Sequence, residues 1–385
     1  MRVLSLKTEG FRMLSKQRLE LCEGVNVICG ENAQGKTTLL EAVYLLTLNR
    51  SFRAKTDREL IAFNAERAFI DADVEAGGRV QRIELAYERG RRRSVKVNKV
   101  RKTAAELSDT LKAVLFCPED LQILRSGAAD RRRMMDNAIS QLRPGYRKLL
   151  TSYNTIYENK CAILRNWRED PSLLEVLDEF NEGLCRCSAK ICRYRAAFVK
   201  RLGEYAAPVQ REFSAGKEEL TLEYKTVSTV TDPLGDEAAI YEEISRRQRE
   251  LRQAELDSGQ CLVGVHKDDM EVSINGLSAK SYASQGQTRT AALSLKLAER
   301  ELFSADTGEQ PVLLLDDVLS ELDARRQEFV LNRITSGQVL ITCCDESSVE
   351  RLKGGKVFRL ENGSALPPLG APVPAGNGGA GTAEP

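Results

Sequence analysis

Short apolar runs separated by polar turns lie at both ends of the chain. Residues 2–8 and 17–29 carry short alternating or apolar runs, and residues 69–102 repeat the alternation typical of an antiparallel meander. Compact apolar runs, which are typical of buried strands, lie at residues 25–28, 111–116, 312–315, 339–342 and 357–360. We expect the first runs to form a small antiparallel sheet beside a larger one, and residues 357–360 to be the last strand.

The middle of the chain has a different spacing. Between residues 146 and 213 apolar residues recur at intervals of three and four, which predicts antiparallel helices that end near Pro208. Residues 220–224 then read as a short strand, and residues 240–254 as a charged helix. The middle region is therefore an insertion between two halves of a sheet.

Two further local signals follow this insertion. Asn275-Gly276 comes directly after the alternating run 270–274 and predicts a hairpin. A helix should then begin at Ser284, which is a favourable N-cap residue, and run to about Phe303.

Together these patterns predict an α/β protein with a mixed sheet, flanking antiparallel strands and helices, and a second lobe. Residues 1–120 and 258–362 form the predicted α/β lobe, and residues 121–257 form an inserted, mainly helical lobe. Residues 363–385 are rich in Pro, Gly and Ala and are expected to be a disordered tail.

A glycine-rich turn links the run 25–28 to a helical pattern. The turn matches G-x-x-x-x-G-K-[ST] and continues into Thr38, so the residues expected to bind nucleotide are Gly30, Glu31, Asn32, Ala33, Gln34, Gly35, Lys36, Thr37 and Thr38. Backbone N–H groups at a helix N-terminus bind phosphate, Lys36 would reach the β- and γ-phosphates, and Thr37 would bind Mg²⁺. The motif predicts a site for ATP. An ordinary glycine turn is the alternative, which the flanking strand and helix disfavour.

Two later segments carry matching chemistry. Ser284, Gln285, Gly286 and Gln287 begin the predicted helix and offer a second helix N-terminus to an anion. The run 312–315 ends in Asp316, which would hold Mg²⁺, and Asp317, which would orient or deprotonate the attacking water. A buried strand that ends in a polar turn is the alternative to this second reading.

A cluster of cations marks the predicted hairpin near residues 89–102. Its candidates for contact with DNA are Arg91, Arg92, Arg93, Lys96 and Lys99. A hairpin tip this basic can neutralise backbone phosphates. A solvated charged turn carries about equal weight as an explanation.

Composition limits the partners, the cellular location and the cysteine chemistry that the sequence can have. Lys and Arg number 57 against 56 Asp and Glu, so net charge alone does not predict a nucleic-acid partner. No apolar run approaches the length of a membrane span and the first residues lack an apolar signal segment, so we expect a cytoplasmic protein with no membrane partner. The ten cysteines include no C-x-x-C pair, and we interpret them as reduced apolar residues.

The single histidine, His266, stands beside Lys267, Asp268 and Asp269. A metal or nuclease site there would need further ligands, which the neighbouring sequence does not supply. We therefore favour a structural or inter-lobe role for His266.

The order of these motifs resembles the ABC-type ATPase heads of the SMC family. Finer matches resemble the RecF family of bacterial recombination proteins, and they lie at residues 30–41, 116–121, 131–133, 264–269 and 284–290. The resemblance covers roughly residues 1–362 and leaves only the tail outside it.

The resemblance implies a P-loop ABC-type ATPase lobe and an ATP-dependent, head-to-tail homodimer. Residues 284–287 of one subunit would meet the γ-phosphate held by Lys36 of the other, and residues 320–323 would line the same seam. Closing the dimer would form a groove for duplex DNA, and hydrolysis would reopen it. The implied role lies in DNA repair and replication: loading RecA at gap junctions, where single-stranded and double-stranded DNA meet, with RecO and RecR as partners.

Two departures from the ABC pattern imply slow hydrolysis. Cys343 and Cys344 stand where many ABC ATPases place a histidine, and Asp317 is a shorter acid than the usual glutamate. We expect a weak, DNA-stimulated ATPase in which ATP acts as a dimerisation switch, with Asp317 and Lys36 as catalytic residues. Another ABC- or SMC-like P-loop ATPase, associated with a nuclease or with transport, is the alternative.

Overall fold

Fifteen strands and eight α-helices make up the part of the chain that the computed structural model describes, which is residues 1–104, 106–226, 230–334, 336–344 and 355–366. The strands are β1 (Arg2–Glu9), β2 (Gln17–Glu20), β3 (Val25–Cys29), β4 (Arg67–Ala76), β5 (Arg79–Glu88), β6 (Ser94–Val97), β7 (Val100–Arg101), β8 (Ala113–Phe116), β9 (Leu220–Lys225), β10 (Asp269–Ile274), β11 (Leu277–Ser278), β12 (Val312–Asp316), β13 (Val339–Cys343), β14 (Lys356–Glu361) and β15 (Ser364–Leu366). The helices are α1 (Lys36–Leu48), α2 (Ala128–Leu142), α3 (Pro144–Asn166), α4 (Leu174–Phe213), α5 (Glu237–Ser258), α6 (Ala279–Tyr282), α7 (Gln285–Thr307) and α8 (Ala324–Arg333).

A mostly parallel sheet lies at the centre of the fold. Its order within the described residues is β15-β14-β3-β13-β12-β8, and only β15 pairs antiparallel to its neighbour. β3 comes from the N-terminal part of the chain and β12 to β15 from the C-terminal part, so both ends build one sheet, as predicted. Because parallel strands are buried on both faces, they read as continuous apolar runs.

A second, antiparallel sheet has the order β2-β1-β4-β5-β6-β7. It confirms the small sheet predicted before the P-loop and joins it to the meander predicted at residues 69–102. In β4 the buried residues alternate with half-buried ones, and they are Ala68, Ile70, Ala72 and Val74. This alternation shows that one face of the sheet packs inward.

Two apolar cores lie on opposite faces of the central sheet. Ile28, Leu314 and Leu340 share one core with α1 and the inner face of the antiparallel sheet. Val27 and Leu313 point the other way, into a core with α2 to α5 and α7. α1 packs against both sheets and is buried along nearly all of its length, which explains why its sequence lacks a polar face.

The second lobe contains a helix of 40 residues, α4, which packs against α3, α5, α7 and β9. The prediction that the helices end near Pro208 is wrong, because α4 continues through Pro208 to Phe213. Proline removes one helical hydrogen bond. The neighbouring Ala206 and Val209 are fully buried, and their packing outweighs that loss. Among the described residues, no helix is long and apolar enough to cross a membrane.

A small third sheet has the order β11-β10-β9 within the described residues. Asn275 and Gly276 connect β10 to β11 with positive φ angles of 51° and 76°, which confirms the predicted hairpin. β9 belongs to the predicted inserted lobe, whereas β10 lies beyond the predicted boundary at residue 258, and the two pair along six residues. The division into lobes stays a prediction, and the two segments share a sheet.

The chain continues past the expected last strand. β15 pairs antiparallel with β14, so residues 357–360 are not the final strand of the described chain. Residues 364–366 lie within the segment predicted as a disordered tail from residue 363. The rest of that predicted tail, residues 367–385, lies outside the described residues.

A buried ion pair joins α3 to α5. The Nζ atom of Lys160 lies 2.8 Å from Oε2 of Glu255, and both side chains are at most 1% exposed. Gln248 donates to the same carboxylate over 2.6 Å and accepts from Lys160 over 2.8 Å. Oε1 of Glu255 also accepts from the backbone N–H of Leu262, at 2.7 Å. The pair therefore also anchors the loop that leads to His266.

Candidate functional site

The P-loop lies where β3 meets α1, as predicted. Gly30 and Gly35 have φ angles of 154° and 101°, and Ala33 between them has a φ of 64°. A Cβ atom added at Gly30 would lie 2.5 Å from the carbonyl oxygen of Leu360 in β14. Glycine is therefore required at position 30 both by the backbone angle and by the approach of the neighbouring strand.

The ammonium group of Lys36 lies inside the curve of this loop. It donates to the carbonyl oxygens of Gly30, at 2.5 Å, and Glu31, at 3.2 Å. It also lies 3.2 Å from Sγ of Cys344, which follows β13. Lys36 is only 8% exposed, so its positive charge lies close to the backbone groups at the start of α1.

Asp316 ends β12 beside the start of α1. Its Oδ1 accepts from the hydroxyl groups of Thr37 and Thr342, each at 2.9 Å. Burial raises the pKa of Asp316, and the two hydroxyl groups oppose that shift by stabilising the carboxylate. A hydroxyl and a carboxylate oxygen thus lie side by side, and such hard oxygen ligands suit Mg²⁺.

Asp317 has an unusual environment for an acid. Its φ of 52° is rare outside glycine, and its backbone N–H donates to the Thr342 hydroxyl at 2.8 Å. Its Oδ1 is buried and has no hydrogen-bond partner among the described residues. A buried oxygen without a partner at the end of this strand fits an acid that binds a water molecule or a ligand.

The helix start at Ser284 has the predicted cap. The Ser284 hydroxyl accepts from the backbone N–H of Gln287 at 3.2 Å, and the Gln287 side chain accepts from the backbone N–H of Ser284 at 2.9 Å. This reciprocal capping box leaves Ser284 and Gln285 exposed to solvent. The amide of Gln287 also donates to Glu218, at 3.0 Å, just before β9.

The segment after Asp317 is tied to the same helix. Asp323 caps α8 by accepting from the backbone N–H of Arg326 at 3.0 Å. The guanidinium of Arg326 donates to the carbonyl oxygen of Gly286 at 2.9 Å, and Arg289 lies 3.6 Å from Glu321. Residues 284–289 and 321–326 therefore form one connected surface.

Comparison with known proteins shows the family. The model for the RecF/RecN/SMC N-terminal domain matches residues 2–363. DNA replication and repair protein RecF of Acetivibrio thermocellus is 36% identical over 358 residues, which cover 92% of this chain and 97% of that protein. The Clostridioides difficile protein of the same name is 34% identical over 369 residues, covering 95% and 98%. The chain belongs to the RecF family.

Solved structures agree with this assignment. A structure of the recombination mediator protein RecF with ATP, from the RecFOR pathway, superposes with a TM-score of 0.87 at 35% identity and covers 94% of this chain and 96% of its own. An Smc head domain from Pyrococcus furiosus superposes with a TM-score of 0.52 at 13% identity and shows the shared fold alone. The resemblance to SMC-type ATPase heads and the predicted fold class are thereby confirmed.

The side chains of the residues predicted to bind nucleotide in this RecF-family chain have different contacts. A cavity of about 670 Å³ lies beside the loop, and its lining includes Gly30, Glu31 and Gln34. The side chain of Gln34 accepts from the backbone N–H of Asn362 at 2.5 Å, and that of Asn32 accepts from Cys344 at 3.1 Å. These two side chains hold neighbouring segments, so their backbone groups are the ones available to a phosphate.

The basic candidates for DNA contact do not form one patch. Arg91 and Arg92 lie exposed in the β5–β6 turn, whereas Lys99 lies in the β6–β7 turn at the other end of β6. Lys96 lies on β6 directly opposite Glu84 of β5, which offsets its charge. Arg93 is used structurally, since it donates to the carbonyl oxygen of Asn49 at 2.8 Å.

Sequence reasoning missed two parts of the site. Thr342 contacts both Asp316 and Asp317. The sequence feature that could have revealed it is a polar residue at the carboxyl end of a strand that neighbours β12. Glu41 is fully buried within α1 and forms an ion pair with Arg12 at 2.6 Å. The sequence feature that could have revealed this pair is a single acid in a mostly apolar helix.

His266 lies in a loop that hydrogen bonds from neighbouring helices hold in place. Its Nδ1 lies 2.7 Å from the Tyr153 hydroxyl, and its Nε2 lies 3.2 Å from the carbonyl oxygen of Cys261. Within the described chain no three or more His, Cys, Asp or Glu residues are grouped so as to hold a metal ion. Burial lowers the pKa of His266 to about 4, so the ring is neutral near pH 7.

The arginine run at residues 131–133 serves the same loop. Arg131 makes two 2.7 Å hydrogen bonds to Asp269, and Arg132 donates to the carbonyl oxygen of Asp268 at 2.7 Å. Arg195 of α4 donates to the carbonyl oxygen of Val265 at 2.7 Å. These contacts support the structural role that the sequence favoured for His266.

Stability should depend on the protonation of His266. The folded pKa of about 4 lies below the ordinary value of 6.5, so the unfolded state binds the proton more readily and stability falls as the pH falls between these values. Between pH 7 and pH 5 the wild type should lose about 2 kcal/mol that a His266→Gln variant does not lose. Urea denaturation at both pH values measures the difference, and equal losses in the two proteins would contradict it.

Proposed function

We propose that this chain is an ATP-dependent DNA-binding protein of recombinational repair and replication, in which ATP closes a head-to-tail homodimer. Residues 1–120 and 258–362 would form the ATPase lobe, and residues 121–257 the inserted lobe. The observation that carries the proposal is that one chain presents two helix starts suited to anions. Lys36 lies buried at one of them, and Ser284 lies exposed at the other.

The residues of the P-loop fit ATP and Mg²⁺. The backbone N–H groups at the start of α1 and the Lys36 ammonium would hold the phosphates, and Thr37 with Asp316 would hold the metal ion. Mg²⁺ would supply positive charge that offsets the phosphates. Asp317 would orient the attacking water and accept its proton, because its Oδ1 has no hydrogen-bond partner among the described residues.

The second helix start supports a site shared between subunits. The Ser284 and Gln287 side chains fix the start of the helix, so its exposed first turn can face a phosphate held by the partner. Arg326 and Arg289 link this helix to residues 321–323, which the proposal places on the same seam. A triphosphate held by Lys36 of one subunit would thus meet residues 284–287 of the other.

The partners follow from the relatives. The related solved structure is described as a recombination mediator in the RecFOR pathway, and the curated relatives are named for replication and repair. We propose that this chain likewise binds single-stranded and double-stranded DNA at gap junctions, acts with RecR and RecO, and helps to load RecA. Slow hydrolysis, stimulated by DNA, would release the dimer.

Sedimentation with and without ATP and Mg²⁺ tests the shared site. The wild type should shift from monomer to dimer, whereas Lys36→Ala should stay monomeric because it loses the phosphate contact. Ser284→Asp keeps a good N-cap but places a carboxylate against the partner's triphosphate. It should bind ATP as the wild type does and weaken dimerisation at least about 100-fold, because like charges brought together cost several kcal/mol.

Two outcomes would contradict the proposal. One is a wild type that remains monomeric with ATP at micromolar concentration. The other is a Ser284→Asp variant that dimerises as the wild type does, which would place the Ser284 helix away from the partner's nucleotide. A nucleotide-binding measurement on the same samples distinguishes a variant that no longer binds ATP from one that binds ATP but no longer dimerises.

A further inference from the structure

Phe63 is the most exposed large apolar side chain of the described residues. The residue is fully exposed to solvent, at 105% of the reference accessible area of a phenylalanine, while Phe11, Phe116 and Phe303 are at most 2% exposed. It lies in the loop between the 3₁₀ turn Asp57–Leu60 and β4. The ring therefore packs against nothing in the described chain and is available to a partner.

The loop that carries Phe63 is fixed by hydrogen bonds. Nε of Arg89 donates to the carbonyl oxygen of Ala65 at 3.2 Å, and its Nη2 donates to that of Phe63 at 3.3 Å. The backbone N–H of Arg89 donates to the carbonyl oxygen of Glu66 at 3.2 Å, and that of Ala62 donates to Gly10 at 2.9 Å. The ring is therefore presented from a held backbone, which is joined directly to the β5–β6 turn.

The arginines of the β5–β6 turn are of two kinds: some hold neighbouring loops and others extend into solvent. Arg89 holds the Phe63 loop, and Arg93 holds Asn49 and lies 3.4 Å from Asp57. Arg91 and Arg92 lie between these anchors and are exposed. The pair of Arg91 with Glu88 is 3.2 Å long and open to water on both sides, so a phosphate can replace the carboxylate at little cost.

Surfaces that bind single-stranded nucleic acid combine exposed aromatic rings with exposed cations, as this loop and turn do. Aromatic rings stack on bases of any sequence, and the neighbouring cations contact the backbone of the same strand. Inside a duplex both faces of each base are covered by its neighbours. A ring at a loop tip can therefore stack only on an unpaired base or on the last base pair.

We propose that Phe63 stacks on an unpaired base of DNA where a single strand leaves a duplex, while Arg91 and Arg92 contact phosphates of that strand. This inference rests on the DNA binding proposed above and adds the place where the unpaired part of the DNA lies. The base is recognised by its face, so the site takes a strand of any sequence.

Fluorescence anisotropy tests the stacking with the full chain, ATP and Mg²⁺. Two labelled DNAs are compared: a blunt duplex, and the same duplex with a single-stranded extension. Phe63→Ala and Phe63→Leu should bind the extended DNA about 5- to 100-fold more weakly and the blunt duplex within about twofold of the wild type. Phe63→Trp should restore binding. Val80→Ala, which removes another exposed apolar side chain from the tip of the β4–β5 hairpin, is the matched control.

A fluorescent base identifies the contact directly. 2-Aminopurine placed at successive unpaired positions should change its emission on binding at one or two positions next to the duplex, and Phe63→Ala should abolish that change. Charge reversal at Arg91 and Arg92 should weaken binding of the extended DNA and reduce its salt dependence, and it should change binding of the blunt duplex much less.

The outcomes separate this inference from the proposed function. If the wild type binds neither DNA, the proposed function fails. If the wild type binds both DNAs and Phe63→Ala binds the extended one equally well, the stacking inference alone is overturned. It is overturned as well if Phe63→Ala leaves DNA binding intact but weakens ATP-dependent dimerisation, because Phe63 would then contact a second copy of the chain.

Discussion

A Lys160→Met variant is expected to lose about 3–5 kcal/mol of its free energy of unfolding. Lys160 and Glu255 are at most 1% exposed, and removing the ammonium leaves a buried carboxylate whose charge is not compensated. Gln248 and the backbone of Leu262 would still donate to Glu255, but neutral donors do not replace the lost charge. Equilibrium denaturation with urea measures the effect.

A second substitution distinguishes charge from packing in this pair. In Lys160→Met with Glu255→Gln the buried charge is gone, and the new amide oxygen can still accept from Leu262. This double variant should recover most of the loss, to within about 1–2 kcal/mol of the wild type.

The control for this pair lies on α4, where Arg186 and Glu182 form an exposed pair. Arg186→Met should cost less than about 1 kcal/mol. A Lys160→Met variant as stable as the Arg186→Met control would show that the buried pair does not hold α3 to α5.

On the proposed function, Asp317→Asn should slow ATP hydrolysis about 10²- to 10⁴-fold and leave ATP-dependent dimerisation intact. The amide keeps the shape of the side chain but cannot accept a proton from water. Thr342 fixes the backbone at position 317 through a 2.8 Å hydrogen bond to its N–H, so the substitution leaves the local geometry in place. Phosphate release and sedimentation, measured on the same samples, separate the two effects.

Asp316→Asn is the matched comparison. Asp316 accepts from Thr37 at 2.9 Å, so its loss should weaken metal binding and reduce hydrolysis and dimerisation together. If Asp317→Asn hydrolysed ATP at the rate of the wild type, the proton acceptor would lie elsewhere.

Local motifs allowed the sequence to predict where the candidate nucleotide-binding residues lie in the fold. Gly30 to Thr37 and the pair Asp316–Asp317 lie on short contiguous segments, and each follows an apolar strand whose direction is set by the parallel sheet. The cap at Ser284 is also local, since Gln287 completes it three residues later. Such features depend on near neighbours in the chain, so the sequence pattern contains them.

Contacts between residues far apart in the chain were harder to predict from the sequence. Thr342 reaches Asp316 because β13 lies beside β12, and no spacing in the sequence states that strand order. Three consecutive arginines, Arg91 to Arg93, look equivalent in the sequence. Only the fold shows that Arg93 donates to the carbonyl oxygen of Asn49. The passage of α4 through Pro208 likewise depends on burial of the residues around it.

The long helix α4 has a mechanical consequence for the inserted lobe. Its C-terminal end rests on α8: the rings of Phe213 and Phe329 lie 4.9 Å apart, and Arg325 donates to the carbonyl oxygen of Phe213 at 3.1 Å. At 1.5 Å per residue, the 40 residues span about 60 Å. A tilt of about 5° at the α8 end would therefore displace the opposite end of α4 by about 5 Å.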